Sequence, residues 1–595
     1  MEQDRGDGIR SLTMWESLRT VRKYLWRYRR GLAFGILCLV VKDLAQVSQP
    51  LVIGRAVDSL SGVASGRAPT LFLRYVGYLL VFALVKGIFQ FGMRVILIGM
   101  SRDVEYDLRN DLFAHLVRLA PDYYGRTRTG DIMARATNDL NAVRMMLGPG
   151  LMYWAETSLT FLLAITVMLK VDWRLALYAI APAPAVSLVM LYSGRIIHER
   201  FEKIQEMFSD ISSRVQENLS GVRMVRAFVQ EKPEMRRFAE LNREYISQNL
   251  KLVRIQAIFD PTMEVLIGAT FLLVLWMGGR DVLHHRISIG SFVMFNTYMG
   301  MLVWPMIALG WVVNLMQRGS ASLGRINQIF GERPSIAAPS NAVRLGSVAG
   351  EIEFCDVTMS YGVSPVLDRV SLRIRAGETV AVVGHTGSGK STLVNLVPRL
   401  MDPTGGSVLL DGVDLRELDP ADLRRQIGFV PQETFLFSAT VGENIAFGVE
   451  HASEEEIRRA AEIAGLSGDI EGFPAGYETM VGERGITLSG GQKQRAAIAR
   501  AVLRDPRILI LDDALSSVDT LTEERILTHL SGVMRGRTVI LISHRVSTVR
   551  QADRIVVLAG GQIVEEGTHA ELIANGGYYA ELSRKQMLEE ELEAI

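Results

Sequence analysis

At 595 residues the chain is too long for one compact core, and at least two domains are expected. Hydrophobic residues make up 48% and charged residues 22%, with a mean hydropathy of +0.18, so the charges must be segregated from long apolar runs. Lys+Arg and Asp+Glu balance at 65 each, which gives no electrostatic footprint for nucleic acid, and the two distant cysteines, Cys38 and Cys355, exclude a disulfide framework or a zinc site as the organising feature.

In chain order, six Lys/Arg lie between Arg19 and Arg30, with no short apolar core and cleavage site after them, so a removable signal peptide is not expected. Membrane spans are expected from near Gly31 and near Tyr75, each interrupted by charges, then at Leu151–Leu169 (with Glu156), Leu175–Tyr192, Val265–Gly279 and Ile287–Gln317. The last holds no Asp, Glu, Lys or Arg and outruns the ~20 residues that cross a hydrocarbon core. SGVASGRAPT, KVDWR and GGRDVLHHR are short joins on one side, whereas Ser101–Leu147 and Arg195–Arg254 are long, charged and helical in pattern. The positive-inside rule puts the N-terminus and both long connections in the cytoplasm.

Several polar residues fall within the spans. Lys42 and Asp43 lie about 17 Å along a helix starting at Gly31, where a charge costs roughly 2.5 to 3.5 kcal/mol on insertion scales. Lys86, Gln90 and Arg94 form one stripe, and Asn296 and Asn314 share a face with Gln317 one turn beyond. All are expected to face other helices or a wet cavity, as a translocation path or as the hydrogen bonds that hold the bundle. The Met- and aromatic-rich last span (Phe292, Met294, Phe295, Tyr298, Met299, Met301, Trp304, Met306, Trp311) reads mostly as packing and lipid contact, with an adaptable apolar pocket as the alternative.

Gly331–Gly350 is rich in Pro, Ala, Ser and Gly without periodicity and marks a linker. The expected domains are therefore 1–330, a six-helix transmembrane domain with intracellular segments; 331–350, the linker; and 351–595, an α/β nucleotide domain. In the last, GHTGSGKS (Gly384–Ser391) fills every fixed position of the phosphate-binding loop, between a strand and a helix. Gly384, Gly387 and Gly389 let backbone N–H groups crowd a phosphate; Lys390 supplies a point charge and Ser391 a hydroxyl for Mg²⁺. Thr386, Ser388 and Thr392 belong to the same nucleotide-binding turn, and His385 reads as a solvated loop side chain. ILILDD then ends a buried strand in two aspartates, Asp512 and Asp513.

LSGGQ (Leu488–Gln492), KQR, the ILILDD strand, ISH (Ile542–His544), PQE (Pro431–Glu433) and Tyr361 together resemble the ATP-binding cassette (ABC) family. TRTGDIMARATNDL (Thr127–Leu140) and SGVRMVRAFVQEKPEMRRF (Ser220–Phe238) resemble the two intracellular segments of its exporters. Nearly the whole chain is thus similar to a bacterial half-transporter of the multidrug or lipid exporter type. The resemblance implies ATP and Mg²⁺ as ligands, with Tyr361 stacking on adenine, Asp512 holding Mg²⁺ through water, Gln432 reaching Mg²⁺ or the attacking water and reporting to the membrane domain, and His544 donating to the γ-phosphate. Ser489, Gly490, Gly491 and Gln492 would meet ATP held by a second chain, Asp519 would cross the dimer interface, and Thr479–Gly485 would touch the partner's intracellular helices. Two such chains closing on ATP would switch the membrane domain between inward and outward access.

The family's active form has glutamate where Asp513 stands, as general base. Aspartate is one methylene short, and misplacement by about 1 Å can cost on the order of 100-fold. A low-turnover ATP site on this chain follows, which by resemblance favours a heterodimer with a fully catalytic half; a homodimer in which the backbone shifts remains the alternative. The expected function is export of a hydrophobic or amphipathic drug, lipid or peptide from a bacterial inner membrane with the cassette cytoplasmic. An exporter-folded importer, siderophore-like, and an ATP-binding regulatory subunit are the other readings. No nucleic-acid partner is expected.

Overall fold

The computed structural model describes residues 14–61, 68–362, 364–482 and 488–593. It divides into two compact units: one runs to His115 and resumes over Gly130–Gly331, and the other takes Leu116–Thr129 and the chain from Glu332 onward.

The first unit carries six helices long and apolar enough to cross a membrane: α1 (Arg29–Leu60), α2 (Leu71–Leu116), α3 (Thr129–Val171), α4 (Trp173–Ser220), α5 (Glu231–Leu283) and α6 (Ile289–Gly331). The last five run 43 to 53 residues. At 1.5 Å per residue that is roughly 65 to 80 Å, about twice a hydrocarbon core, so each extends well beyond the apolar slab. The long charged connections are therefore mostly continuations of the spanning helices, joined by the short helices Pro121–Arg126 and Val222–Ala227. α3 is interrupted by two π-type turns, Arg135–Asp139 and Met146–Gly150, the second containing Pro149. In the first, Asp139 is gripped by Arg325 of α6 through two contacts of 2.8 and 2.5 Å. α4 breaks after Ile180, at Ala181–Pro182.

Helices approach closely where side chains vanish. A Cβ on Gly290 would lie 1.9 Å from the Gly54 carbonyl, so α1 and the start of α6 meet backbone to backbone. There Asp58 accepts from the Gly290 N–H at 2.7 Å and from the Ser288 hydroxyl at 2.7 Å, satisfying donors at the helix start. One apolar cluster gathers Val47, Ala164, Met168, Leu175, Val274, Phe295 and Tyr298, with the Tyr298 hydroxyl donating to the Val47 carbonyl. The aromatic run of the last span thus splits: Phe295, Tyr298, Met294 and Met299 are core, whereas Trp304 and Trp311 are exposed on the single chain. A small apolar cavity of about 80 Å³ lies among Met190, Met263, Phe271, Met299 and their neighbours.

Lys42 and Asp43 are fully enclosed. The Lys42 ammonium donates to Glu156 of α3 at 2.5 Å and sits 2.7 Å from the Asp43 carboxylate, outside hydrogen-bonding angle. The expected inward stripes are only partly inward: Lys86, Gln90 and Asn296 are half-buried, but Arg94, Asn314 and Gln317 are exposed on the single chain. Helical periodicity fixes which residues share a face, not whether that face meets another helix of the same chain.

The second unit holds two sheets. β1 (Ile352–Tyr361), β2 (Ser364–Ile374), β4 (Gly405–Leu410) and β5 (Val413–Asp414) form an antiparallel sheet in the order β2-β1-β4-β5. β3 (Thr379–Val383), β6 (Ile427–Val430), β7 (Ile508–Asp512), β8 (Thr538–Ile542), β9 (Arg554–Ala559) and β10 (Gln562–Gly567) form a sheet in the order β10-β9-β3-β8-β7-β6. Its central strands are parallel, and β7 and β8 are buried at every position, as strands covered on both faces must be. The linker ends in a clamp: the Asp411 carboxylate accepts from the N–H groups of Ala349, Gly350 and Glu351 at 2.9, 3.0 and 2.8 Å. Thr538 of β8 donates to the Gly350 carbonyl at 2.7 Å.

Candidate nucleotide site

The parallel sheet ends its strands on one edge, the position where α/β sheets build ligand crevices. β3 delivers the loop Gly384–Gly389, which turns into α7 (Lys390–Leu396). Gly384 packs so tightly that a Cβ there would come within 2.2 Å of the Leu558 carbonyl, and Gly389 sits at φ +102° in the left-handed region. The Lys390 ammonium is buried and turned back on the loop, donating to the Gly384 and His385 carbonyls at 2.8 and 2.9 Å. Burial pulls Lys390 below its ordinary pKa range, with Asp512 and Asp513 acting the other way.

Asp512 ends β7 and is buried, with Oδ1 lacking a hydrogen-bond partner among the described residues. Burial raises its carboxyl pKa, opposed by a hydrogen bond from Ser391. A cavity of about 170 Å³ brings together Thr386, Gly387, Gly389, Lys390, Ser391, Thr392, Gln432, Asp512, Asp513 and His544. An open cradle of loop glycines, a buried cation, and an orphaned carboxylate oxygen beside a hydroxyl suit a phosphate chain with a divalent cation, so the residues fit Mg²⁺-ATP. Ser388 is buried within the loop, its Oγ also without a partner.

Asp513 stands just past the strand at φ +50°, a left-handed conformation that aspartate tolerates better than most residues. Its N–H donates to the Ile542 carbonyl at 3.0 Å, and its own carbonyl accepts from the Ser516 hydroxyl at 3.0 Å and from Gln494 at 3.4 Å. The backbone under this carboxylate is tethered on both sides.

Other expected residues lie elsewhere on the cassette; among the described residues, Tyr361, Ser489–Gln492 and Asp519 do not line that cavity. Tyr361 ends β1 with its ring exposed and its hydroxyl on the Met401 sulfur at 3.2 Å. Ser489 caps α8 (Gly490–Leu503) in a capping box: its hydroxyl accepts from the Gln492 N–H, and the Gln492 side chain accepts from the Ser489 N–H at 2.9 Å. The Gln492 amide also donates to Asp469 at 2.9 Å. Gln492 is therefore engaged in shaping the helix start, while Ser489 and Gly490 are exposed on its surface. Asp519 caps α9 (Thr520–Met534), accepting from the Thr522 N–H at 2.9 Å, which lowers its pKa. His385 is exposed but not merely solvated, since its ring lies 5.1 Å from that of Tyr578. Of the segment Thr479–Gly485, Glu483, Arg484 and Gly485 lie outside the described residues. Thr479 and Val481 bond the backbone around Val441 and Ala439.

Gln494 went unassigned in the sequence. Buried on α8, it donates to Ser516 and accepts from the Ser517 N–H, each at 2.9 Å, besides reaching the Asp513 carbonyl. The one signal was a polar residue on the buried face of an alanine-rich helix. Gln494→Leu removes these bonds, at about 0.5 to 1.5 kcal/mol net for each; the expected result is a destabilised cassette in chemical denaturation, and an unchanged midpoint would refute it. A larger polar groove of about 450 Å³ at Arg375, Glu378, Asp553, Arg554 and Glu571 pairs Arg554 with Glu378 and Asp553 with the Thr379 N–H.

Residues 32–306 match the family profile described as ABC transporter transmembrane region, and residues 367–516 the profile described as ABC transporter. The chain is 37% identical over 578 residues to a probable multidrug resistance ABC transporter ATP-binding/permease protein, YheI, of Bacillus subtilis (strain 168), covering 97% of this chain and 98% of that one. It is 37% identical to the multidrug resistance-like ATP-binding protein MdlA of Escherichia coli (strain K12), over 96% of each chain. An ATP-dependent lipid A-core flippase of Syntrophus aciditrophicus (strain SB) is 36% identical over 94% of this chain and 93% of its own. A solved bacterial Atm1-family ABC exporter with ATP bound superposes with a TM-score of 0.78 at 29% identity, covering 94% of this chain and 98% of that one.

Proposed function

The chain belongs to the ABC transporter family, as an exporter-type half with transmembrane and ATP-binding domains fused, and on that premise we propose that it is the low-turnover half of a heterodimeric exporter. The carrying observation is Asp513: the shorter carboxylate stands on a backbone tied to Ile542, Ser516 and Gln494, which leaves little freedom for the chain to advance it. The cation, hydroxyl and Asp512 around it suit nucleotide binding. An exposed Ser489 at a helix start suits a donor offered to ATP held by another chain.

In this reading Lys390 holds the β and γ phosphates, and Ser391, Asp512 and Gln432 hold Mg²⁺, which neutralises phosphate charge when bound. His544 donates to the γ-phosphate and Tyr361 stacks on adenine. Asp513 orients water poorly. Residues 1–330, 331–350 and 351–595 act as membrane domain, linker and cassette, with the N-terminus and cassette on the cytoplasmic side of a bacterial inner membrane. Relatives named for multidrug resistance and for flipping lipid A-core favour an amphipathic, apolar substrate, and the Met- and Phe-lined cavity is compatible with one.

The test is ATP-dependent accumulation of an amphipathic dye in inside-out vesicles carrying the assembled transporter. Uptake in right-side-out vesicles instead would establish import. Lys390→Ala removes a charge-assisted contact worth about 1.5 to 3 kcal/mol, so ATP affinity at this site should fall about tenfold to 100-fold, and flux with it. Unchanged flux with affinity lost would favour a regulatory subunit.

A further inference from the structure

The helix α10 (Tyr578–Glu593) near the end of the chain takes no part in the expected chemistry, yet it touches the nucleotide site twice. Its start is pinned by Glu565 of β10, whose carboxylate accepts from the N–H groups of Tyr578 and Tyr579. Tyr579 is buried against Ala381 and Val383 of β3, the strand that delivers the phosphate loop, and its hydroxyl meets His569 at 2.8 Å. Tyr579, Leu582, Ser583 and Gln586 follow one helical face, so the inward face runs from the phosphate-loop strand to the segment after β8.

At that segment Gln586 bridges the backbone from His544 to Val546. Its amide nitrogen donates to the His544 carbonyl, and its amide oxygen accepts from the Val546 N–H at 2.8 Å. One side chain with both a donor and an acceptor thereby fixes the backbone immediately after the cavity-lining His544. The same segment is also held by Glu523 of α9, which accepts from the Arg545 and Thr548 side chains. Two helical turns and more away, the Tyr578 ring packs edge-on against His385 at 5.1 Å. The Tyr578 hydroxyl is buried without a hydrogen-bond partner among the described residues, so the ring is what this side chain contributes.

We propose that α10 is a positioning element of the nucleotide site, with Gln586 setting the backbone of His544 and Tyr578 bracing His385 of the phosphate loop. Gln586 is a positioning residue: it acts through His544 and touches no ligand. The consequence for ATP rests on the reading of His544 as a γ-phosphate donor; the hold on the loop does not.

The experiment uses the full chain in lipid nanodiscs and compares Gln586→Ala, Gln586→Glu and His544→Ala. Hydrogen exchange of the peptide covering residues 541–549 should accelerate at least tenfold in Gln586→Ala, with the rest of the cassette unchanged. ATP affinity should fall three- to tenfold while ADP affinity stays within twofold, because the displaced group faces the phosphate that ADP lacks. Gln586→Glu keeps the acceptor for Val546 and loses the donor to His544, and should fall between. Unchanged exchange over 541–549 overturns the proposal, and so does an equal loss for ATP and ADP, which would mean general loosening. If His544→Ala leaves the ATP preference intact while Gln586→Ala accelerates exchange, the donor role of His544 fails and the hold of α10 on the loop stands.

Discussion

Purified alone in lipid, the chain is expected to hydrolyse ATP at background level, and its Asp513→Glu variant on the order of 100-fold faster. The argument is geometric. β7 is buried throughout and hydrogen-bonded to β6 and β8 along its length, so the position from which residue 513 reaches out is fixed. Its N–H is tied to Ile542 and its carbonyl to Ser516 and Gln494, and the left-handed φ sets the direction of the side chain. The missing methylene, something over ~1 Å of reach, must then appear as lost alignment of water. Every other part is present, because the variant keeps its own capped signature helix and two copies could complete each other's sites. Glutamate tolerates φ +50° less well than aspartate, a cost of about 1 kcal/mol or less that the tethers can carry. Robust turnover by the unmodified chain, abolished by Lys390→Ala, would sink the low-turnover reading and point to a homodimer; silence in both forms would place the defect elsewhere than in side-chain length. Nucleotide binding by each form, measured first, separates either outcome from misfolding.

Lys42→Met should destabilise the membrane unit by about 3 to 5 kcal/mol, the scale for removing one partner from a buried ion pair. Lys42 and Asp43 are 1% and 0% exposed, and the single ammonium serves both Asp43 and Glu156. Without it Asp43 and Glu156 lose the ammonium they share, with half-buried Lys86 as the neighbouring cation, and the cluster must take up protons, draw in water or turn to Lys86. The triple variant Lys42→Met, Asp43→Asn, Glu156→Gln should recover most of the loss, since apolar or neutral replacement of a whole buried cluster is often near neutral. Thermal unfolding of the detergent-solubilised chain reads both. Equal stability of Lys42→Met and the unmodified chain would show that water reaches the cluster and that it is not a structural lock.

Periodicity and apolar run length revealed the six spans, and fixed spacing revealed the phosphate loop, because both signals are local in the chain. What was not local was not legible. Gln494 and Gln586 act on residues 19 to 42 positions away, and nothing in a neighbouring stretch distinguishes them from solvated glutamines. Gln492 shows another limit: the motif drew attention to it as a ligand of ATP, and on the single chain the capping box takes its amide oxygen and Asp469 its amide nitrogen. The π-type turns of α3 carry no sequence mark beyond Pro149. Spacing places Lys86, Gln90 and Arg94 on one stripe expected to face other helices or a wet cavity; on the single chain Lys86 and Gln90 are half-buried and Arg94 is exposed.

The clamp at Asp411 bears on how the chain handles force. Three backbone donors close on one carboxylate and Thr538 closes on the Gly350 carbonyl, so the connector is moored before β1 begins. Val343 adds an earlier tie through its N–H to the Glu417 carbonyl at 2.9 Å. A tug arriving along residues 332–342 is thus borne in shear by the rim of the cassette, and the first strand is spared from being peeled. Slack can accordingly be spliced into 332–342 at little cost, about 0.6 kcal/mol per doubling of loop length, without reaching the phosphate loop.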